Sequence, residues 1–146
     1  MTDGGQYQLR APANEAEWQI YHEIRRAVLW ESRGQGSLYD PNRPDERLPN
    51  RFARLLFFDD VAVGVLRIDI EPPRAIFRRV AVRVEHQRKG HGRVMLMLAE
   101  DFARKHGCVC VRSDVAADAV GFYESCGFRR ATPAKAVASV LMEKVL

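Results

Sequence analysis

The stretch from Ala75 to Gly107 constrains the fold more than any other part of this sequence. Ala75–Val84 sets Ile76, Val80 and Val82 against arginines, the alternation of a strand. A short loop, 85–90, follows. Gly92–His106 then places Val94, Met95, Leu98 and Phe102 at helical spacing, facing inward, and Gly107 closes it as a left-handed cap. A strand that runs through a glycine loop into a helix commits the chain to a mixed α/β architecture.

The flanking segments extend that unit. Residues 6–10 read as a short first strand. Asn14, with Glu17 three residues later, opens a helix that carries Trp18, Tyr21, Ile24, Val28 and Leu29 on one side. Residues 31–50, with two glycines and three prolines, read as a long loop, and such loops are more often functional than idle. Arg51–Phe58 and Val61–Ile70 flank Asp59-Asp60 as a hairpin, and Pro72-Pro73 breaks the chain. Downstream come a short strand at Cys108–Arg112, a short helix at Asp118–Cys126 ended by Gly127, and final strands at Phe128–Ala131 and Ala138–Lys144.

At 146 residues the whole chain, 1–146, reads as one domain. No apolar run approaches the ~18 residues of a membrane span, and the N-terminus lacks the apolar centre of a signal peptide. Three cysteines are an odd number in a chain too long to need bridges, so a cytoplasmic setting is expected. Cys108, Cys110 and Cys126 offer too few ligands for a metal, and none is expected. The net charge of +4 is an arginine excess, since only four of 23 cations are lysine. Arginine's planar fork suits phosphate and carboxylate.

That charge is concentrated. Arg78, Arg79, Arg83, Arg88, Lys89 and Arg93 surround Gln87-Arg88-Lys89-Gly90-His91-Gly92, between a strand and a helix start. Free N–H groups of a first helical turn, together with the helix dipole, favour an anion there, and Gly90 and Gly92 let the backbone approach closely. The third glycine of a dinucleotide fingerprint is missing, and no Walker loop is present. The same two glycines could also serve only to turn strand into helix.

The segment 79–92 resembles motif A of the GNAT superfamily of N-acetyltransferases, whose loop has the form [QR]-x-x-G-x-[GA]; Gln87, Gly90 and Gly92 fill its three places. A second match follows, since Ala119-Val120-Gly121-Phe122-Tyr123-Glu124-Ser125-Cys126-Gly127-Phe128 resembles the family's A-x-x-F-Y-E-x-x-G-F segment, and the ending from Met142 resembles its last strand. The resemblance covers about Ala75 to Leu146. It implies a mostly antiparallel sheet of six to seven strands, splayed at a cofactor cleft and flanked by about four helices. It implies acetyl-CoA as cosubstrate and direct acetyl transfer to a primary amine. Loop amides from Gln87 through Gly90 and His91 to Gly92 would hold the pyrophosphate, with Arg88, Lys89 or Arg93 on the phosphates. Exposed backbone at Ala81 and Val82 would pair with the pantetheine arm or polarise the thioester carbonyl. Tyr123 would protonate the leaving thiolate, with Phe122 as packing.

Two departures stand out. Many members carry a glutamate as general base where Ile76 stands, and an asparagine where Ala116 stands. The base would then be a water chain or another residue, with Glu85, His86, Asp114 and Glu31 as candidates. Trp30, Glu31, Tyr39 and Asp40 are candidates for an acceptor pocket whose acids would suit a cationic amine. The departure at Ile76 also keeps open a non-catalytic acyl-CoA sensor. The basic run keeps open a nucleic-acid-binding module, although aromatic interleaving and recognised nucleic-acid motifs are missing. The partner expected is a small-molecule or peptide amine rather than a membrane, with a homodimer in keeping with the family.

Overall fold

The computed structural model describes residues 6–31, 34–42, 48–131 and 139–146. Residues 43–47 of the long loop and Ala138, the expected start of the last strand, lie outside them. The elements, in order, are β1 (Tyr7–Arg10), α1 (Glu15–Arg25), β2 (Arg51–Phe58), β3 (Val61–Glu71), β4 (Arg74–Val82), α2 (His91–Lys105), β5 (Cys110–Ala116), α3 (Val120–Ser125), β6 (Arg129–Arg130) and β7 (Ser139–Val145). A π-helical turn, Arg26–Trp30, continues α1. The described residues thus hold three α-helices, where the resemblance implied about four.

The strands form one seven-stranded sheet in the order β1-β2-β3-β4-β5-β7-β6. Every neighbouring pair is antiparallel except β4 with β5. The hairpin between β2 and β3 turns on Asp59 and Asp60, both at positive φ, the geometry of tight turns that match strand twist. Asn14 caps α1 as expected, its side chain accepting from the Glu17 N–H at 2.9 Å.

Each face of the sheet is covered. On one, α2 and α3 bury Met95, Leu96, Ala99, Ala103, Val120 and Tyr123 against Leu66, Ile68, Phe77 and Val111. The inward stripe of α2 is therefore His91, Met95, Ala99 and Ala103 with Leu96, while the expected Val94, Leu98 and Phe102 are only half-buried on its flanks. Small Ala99 and Ala103 let the helix axis approach the sheet, which moves the larger side chains to the edges. On the other face Tyr21 and Ile24 of α1 pack on Leu55, Phe57, Val65 and Ala81. Trp18, expected on that inner side, is 41% exposed.

The α1 face also carries a buried ion cluster. Asp69, fully buried, accepts from Arg67 through both oxygens at 2.8 and 3.0 Å and from Arg78 at 3.0 Å, with Arg51 at 3.6 Å. A charge taken out of water needs such partners, and here they tie β2, β3 and β4 together. The strand boundary that differs most from expectation is that of β5, which begins at Cys110 rather than Cys108 and runs on to Ala116. Cys108 is instead a buried residue of the turn that leaves α2.

Candidate active site

The parallel contact between β4 and β5 lasts only three rungs, Arg74 with Cys110, Ala75 with Val111 and Ile76 with Arg112. Beyond Ile76 the strands separate. The cause lies in β4, where Val65 of β3 faces Ala81 but Arg67 faces Arg78, so two residues, Arg79 and Val80, stand opposite Leu66 alone. Arg79 takes φ of 56°, and a bulge of this kind bends the strand away from its neighbour. The result is a cleft of about 1140 Å³ bordered by Trp30, Arg79, Val80, Val84, Gln87, Ser113–Ala119 and Tyr123.

Backbone direction in the cleft follows from one hydrogen bond. Arg83 N–H donates to the Val63 carbonyl on β3 at 2.8 Å. Alternation then turns the polar groups of Ala81 to β3 as well, and those of Val80 and Val82 to the cleft. The Val82 carbonyl accepts from Gln87 Nε2 at 2.9 Å, in keeping with that direction. Of the two residues expected to offer backbone there, Val82 turns its carbonyl toward the cleft and Ala81 turns its polar groups to β3.

The glycine loop is built on left-handed residues. Arg88 has φ of 65° and Gly90, the N-cap of α2, has φ of 87°. Gly90 has no side chain with which to cap the first turn of α2, so among the described residues no N-cap side chain satisfies the N–H groups at its start. A Cβ on Gly92 would stand 3.1 Å from Cζ of Phe122, so the missing side chain lets α3 close onto the start of α2. Phe122, expected as packing, lies against Gly92 there while remaining 40% exposed. Arg93 reaches across the same junction, donating to the carbonyl and hydroxyl oxygens of Ser125, both at 3.0 Å. Its fork is thus occupied in joining α2 to α3, while Arg88 and Lys89 are exposed at the loop. His91 turns its ring inward, with Nδ1 2.7 Å from the Tyr7 hydroxyl. Burial first, then His86 and Lys89, hold its pKa below the ordinary imidazole value. Only its backbone is available to an anion.

Tyr123 is 6% exposed and borders the cleft from α3. Burial pushes its phenol up to about 12, against a smaller downward pull from the Ser113 hydroxyl. Ser113 in turn donates to the Phe77 carbonyl at 2.9 Å. A phenol held there is a hydrogen-bond donor throughout the working pH range. Ser113 was not singled out in sequence, where its phase with Val111 and Val115 along β5 is the only signal.

The other candidates divide. Ile76 sits on the last rung before the splay, and the acid across from it, Asp69, is occupied by arginines. Of the four candidate bases Asp114 borders the cleft, whereas Glu85 is exposed and His86 half-buried in the turn after β4, and Glu31 folds over Gly36. Trp30 borders the cleft and Tyr39 packs edge-on against it at 4.7 Å, but Asp40 accepts from the Asn42 N–H instead. The three cysteines are free thiols, and among the described residues no three His, Cys, Asp or Glu side chains gather as a metal-ligand set.

The sequence model of the acetyltransferase (GNAT) family matches residues 7–128. The chain belongs to the GNAT family. Membership makes it an acyl-CoA-dependent N-acyltransferase. A Lactobacillus plantarum protein provisionally named an N-acetyltransferase aligns over 99% of both chains at 25% identity, with a TM-score of 0.78. The PaiA N-acetyltransferase of Thermoplasma acidophilum, solved with coenzyme A, shares 20% identity over 97% of this chain and 99% of its own, with a TM-score of 0.72. The Escherichia coli ribosomal-protein-S18-alanine N-acetyltransferase shares 18% over 96% and 94%, with a TM-score of 0.71. The last two likenesses concern the fold. Within this GNAT chain no helix is long and apolar enough to cross a membrane, among the described residues.

Proposed function

We propose that residues 1–146 form a single N-acetyltransferase domain that moves an acetyl group from acetyl-CoA directly to a primary amine. The observation that carries this reading is that one cleft is lined together by Gln87 at the start of the glycine loop, by β4 beyond its last rung with β5, and by Tyr123. The backbone from Gln87 to Gly92 would hold the pyrophosphate at the uncapped start of α2, with Arg88 and Lys89 beside it. Arg93 contributes by fixing α3 to that loop. When bound, acetyl-CoA supplies an activated acyl carbonyl.

The chain's own groups do the rest. The N–H groups of Val80 and Val82 face the cleft and can donate to the oxygen of the acyl carbonyl as negative charge builds on it. Asp114 holds the acceptor's ammonium and starts its proton toward water. Tyr123 donates to the departing sulfur. Full transfer from a phenol at about 12 to an alkyl thiolate of pKa ~8.5 is uphill by roughly 5 kcal/mol. Tyr123 therefore acts as a hydrogen-bond donor that keeps its proton, and the proton that ends on sulfur is the one the nitrogen gives up as the amide forms.

A second reading follows from Ile76, which leaves the last rung of the β4–β5 pair without a carboxylate. It is a silent acyl-CoA binder. Thermal stabilisation by acetyl-CoA, with ATP and NAD as controls, followed by thiol release with an amine panel, separates the two. Stabilisation with thiol release supports the transferase; stabilisation without it supports the silent binder; no stabilisation removes both.

A further inference from the structure

The α1 face of the sheet carries two arginines that the fold leaves without a partner. Alternation settles their direction. Ala75, Phe77, Val111 and Val115 are buried on the α2 side, so Arg74 on β4 and Arg112 on β5 turn to the opposite one. Arg74 pairs in register with Cys110, and Ile76 with Arg112. Neighbouring strands lie about 4.8 Å apart and two residues span about 6.7 Å, so the two arginines are diagonal neighbours whose long side chains can close on one small anion. Both are half-buried, and the Nε of each is shielded from water without a hydrogen-bond partner. Glu71 stands opposite Arg74 and Glu143 opposite Arg112. Even so, among the described residues neither arginine makes a hydrogen bond or an ion pair, and Glu143 lies 3.8 Å from Arg129 instead. A buried donor left unpaired is costly, so these two sites favour any ligand that supplies an acceptor.

The same face shows which acceptor such arginines take. Opposite Ile76 on β3, Asp69 accepts from Nε and Nη2 of Arg67 and from Nε of Arg78, a carboxylate held by guanidinium edges from two strands. We propose that Arg74 and Arg112, on the β5 side of Ile76, hold a second carboxylate in this manner, one brought by a ligand rather than by the chain. The planar fork matches the two oxygens of that group. Val145, opposite Cys110, is 73% exposed, so this part of the face is open to solvent. Arg112 precedes Asp114 by two residues on the same face of β5, which places the site about 6.7 Å along the strand from the rim of the cleft. The carboxylate therefore arrives either on the acceptor amine or on a separate carboxylic acid. Only the first source rests on the transferase reading.

Succinate is the probe. Titrated into the wild type at constant ionic strength, it should bind with a Kd on the order of 1 mM by calorimetry and shift the Nε–H resonances of Arg74 and Arg112. Arg74→Gln and Arg112→Gln should each weaken that binding at least about tenfold while retaining or raising the melting temperature, since each removes an unpaired buried donor. Absence of saturable binding in the wild type overturns the proposal. So does equal binding by both variants, which places succinate elsewhere, or a lower melting temperature with binding intact, which makes the arginines merely structural. Thiol release from acetyl-CoA with ω-amino acids of increasing length, each beside the alkylamine of the same length, separates the two sources. A KM preference for the acid that disappears in Arg112→Gln assigns the carboxylate to the acceptor; succinate binding without such a preference assigns it to a separate acid. Failure of acetyl-CoA to stabilise the wild type would mark failure of the transferase reading and leave the succinate result standing.

Discussion

Tyr123→Phe removes one oxygen and keeps the ring, whose packing at 5.7 Å on Phe122 and 5.3 Å on Phe128 needs no hydroxyl. Ser113 retains the Phe77 carbonyl as its acceptor, so stability loses only a hydrogen bond of ~1 kcal/mol, a drop of about 2–4 °C in Tm. Turnover should fall much further. A buried donor aimed at charge that develops in the transition state contributes roughly 10²–10³ in kcat, or about 2.7–4 kcal/mol. Because the phenol is held up to about 12, it ionises at no working pH. The kcat profiles of the wild type and the variant between about pH 6 and 10 should therefore have the same shape, displaced vertically. Steady-state thiol release with a saturating amine, beside calorimetric acetyl-CoA affinity, measures both terms. A kcat within about threefold of wild type, or a loss that appears in acetyl-CoA affinity instead, would refute the assignment.

Three further outcomes follow from the structure. Asp69→Asn leaves Arg67, 2% exposed, without its carboxylate; we expect a loss of about 3–5 kcal/mol, seen as a Tm roughly 10 °C lower, and a change under 1 kcal/mol would deny the cluster its role. His91 has a depressed pKa, so the unfolded chain protonates first as pH falls below about 6.5, and stability is present above that pH and declines from there toward the folded pKa. Urea unfolding at several pH values should show this slope in the wild type and a weaker one in His91→Gln; equal slopes would contradict it. Gly90→Ala meets no steric obstacle but places a side chain at φ of 87°, costing about 1–2 kcal/mol and weakening acetyl-CoA binding, and unaltered Tm and affinity would remove the strained-loop account.

The order of elements was legible because its signals are local. The Asn14 cap, the Asp59-Asp60 turn and the Gly107 end of α2 each fix a boundary through nearby backbone chemistry. The glycine loop and Phe122-Tyr123 were legible as motifs. What escaped depends on register. Nothing in the order of residues 78–82 says that Arg79 and Val80 together face Leu66, and from that one offset follow the splay and the side to which Arg79 turns. The pairing of Asp69 with arginines from three strands is likewise a product of long-range register. The bond from Arg93 to Ser125 was not legible for the same reason, since the two lie 32 residues apart.

The central claim is that the loop from Gln87 to Gly92 holds a phosphate-bearing acyl donor at the mouth of the splayed cleft. Calorimetric titration of acetyl-CoA into the wild type and the double variant Arg88→Glu, Lys89→Glu tests it most directly. The account predicts one site per chain in the wild type, no binding of NAD, and affinity at least about tenfold weaker in the double variant, some 1.4 kcal/mol. A wild type that binds no acetyl-CoA, or a double variant that binds it equally well, would contradict it.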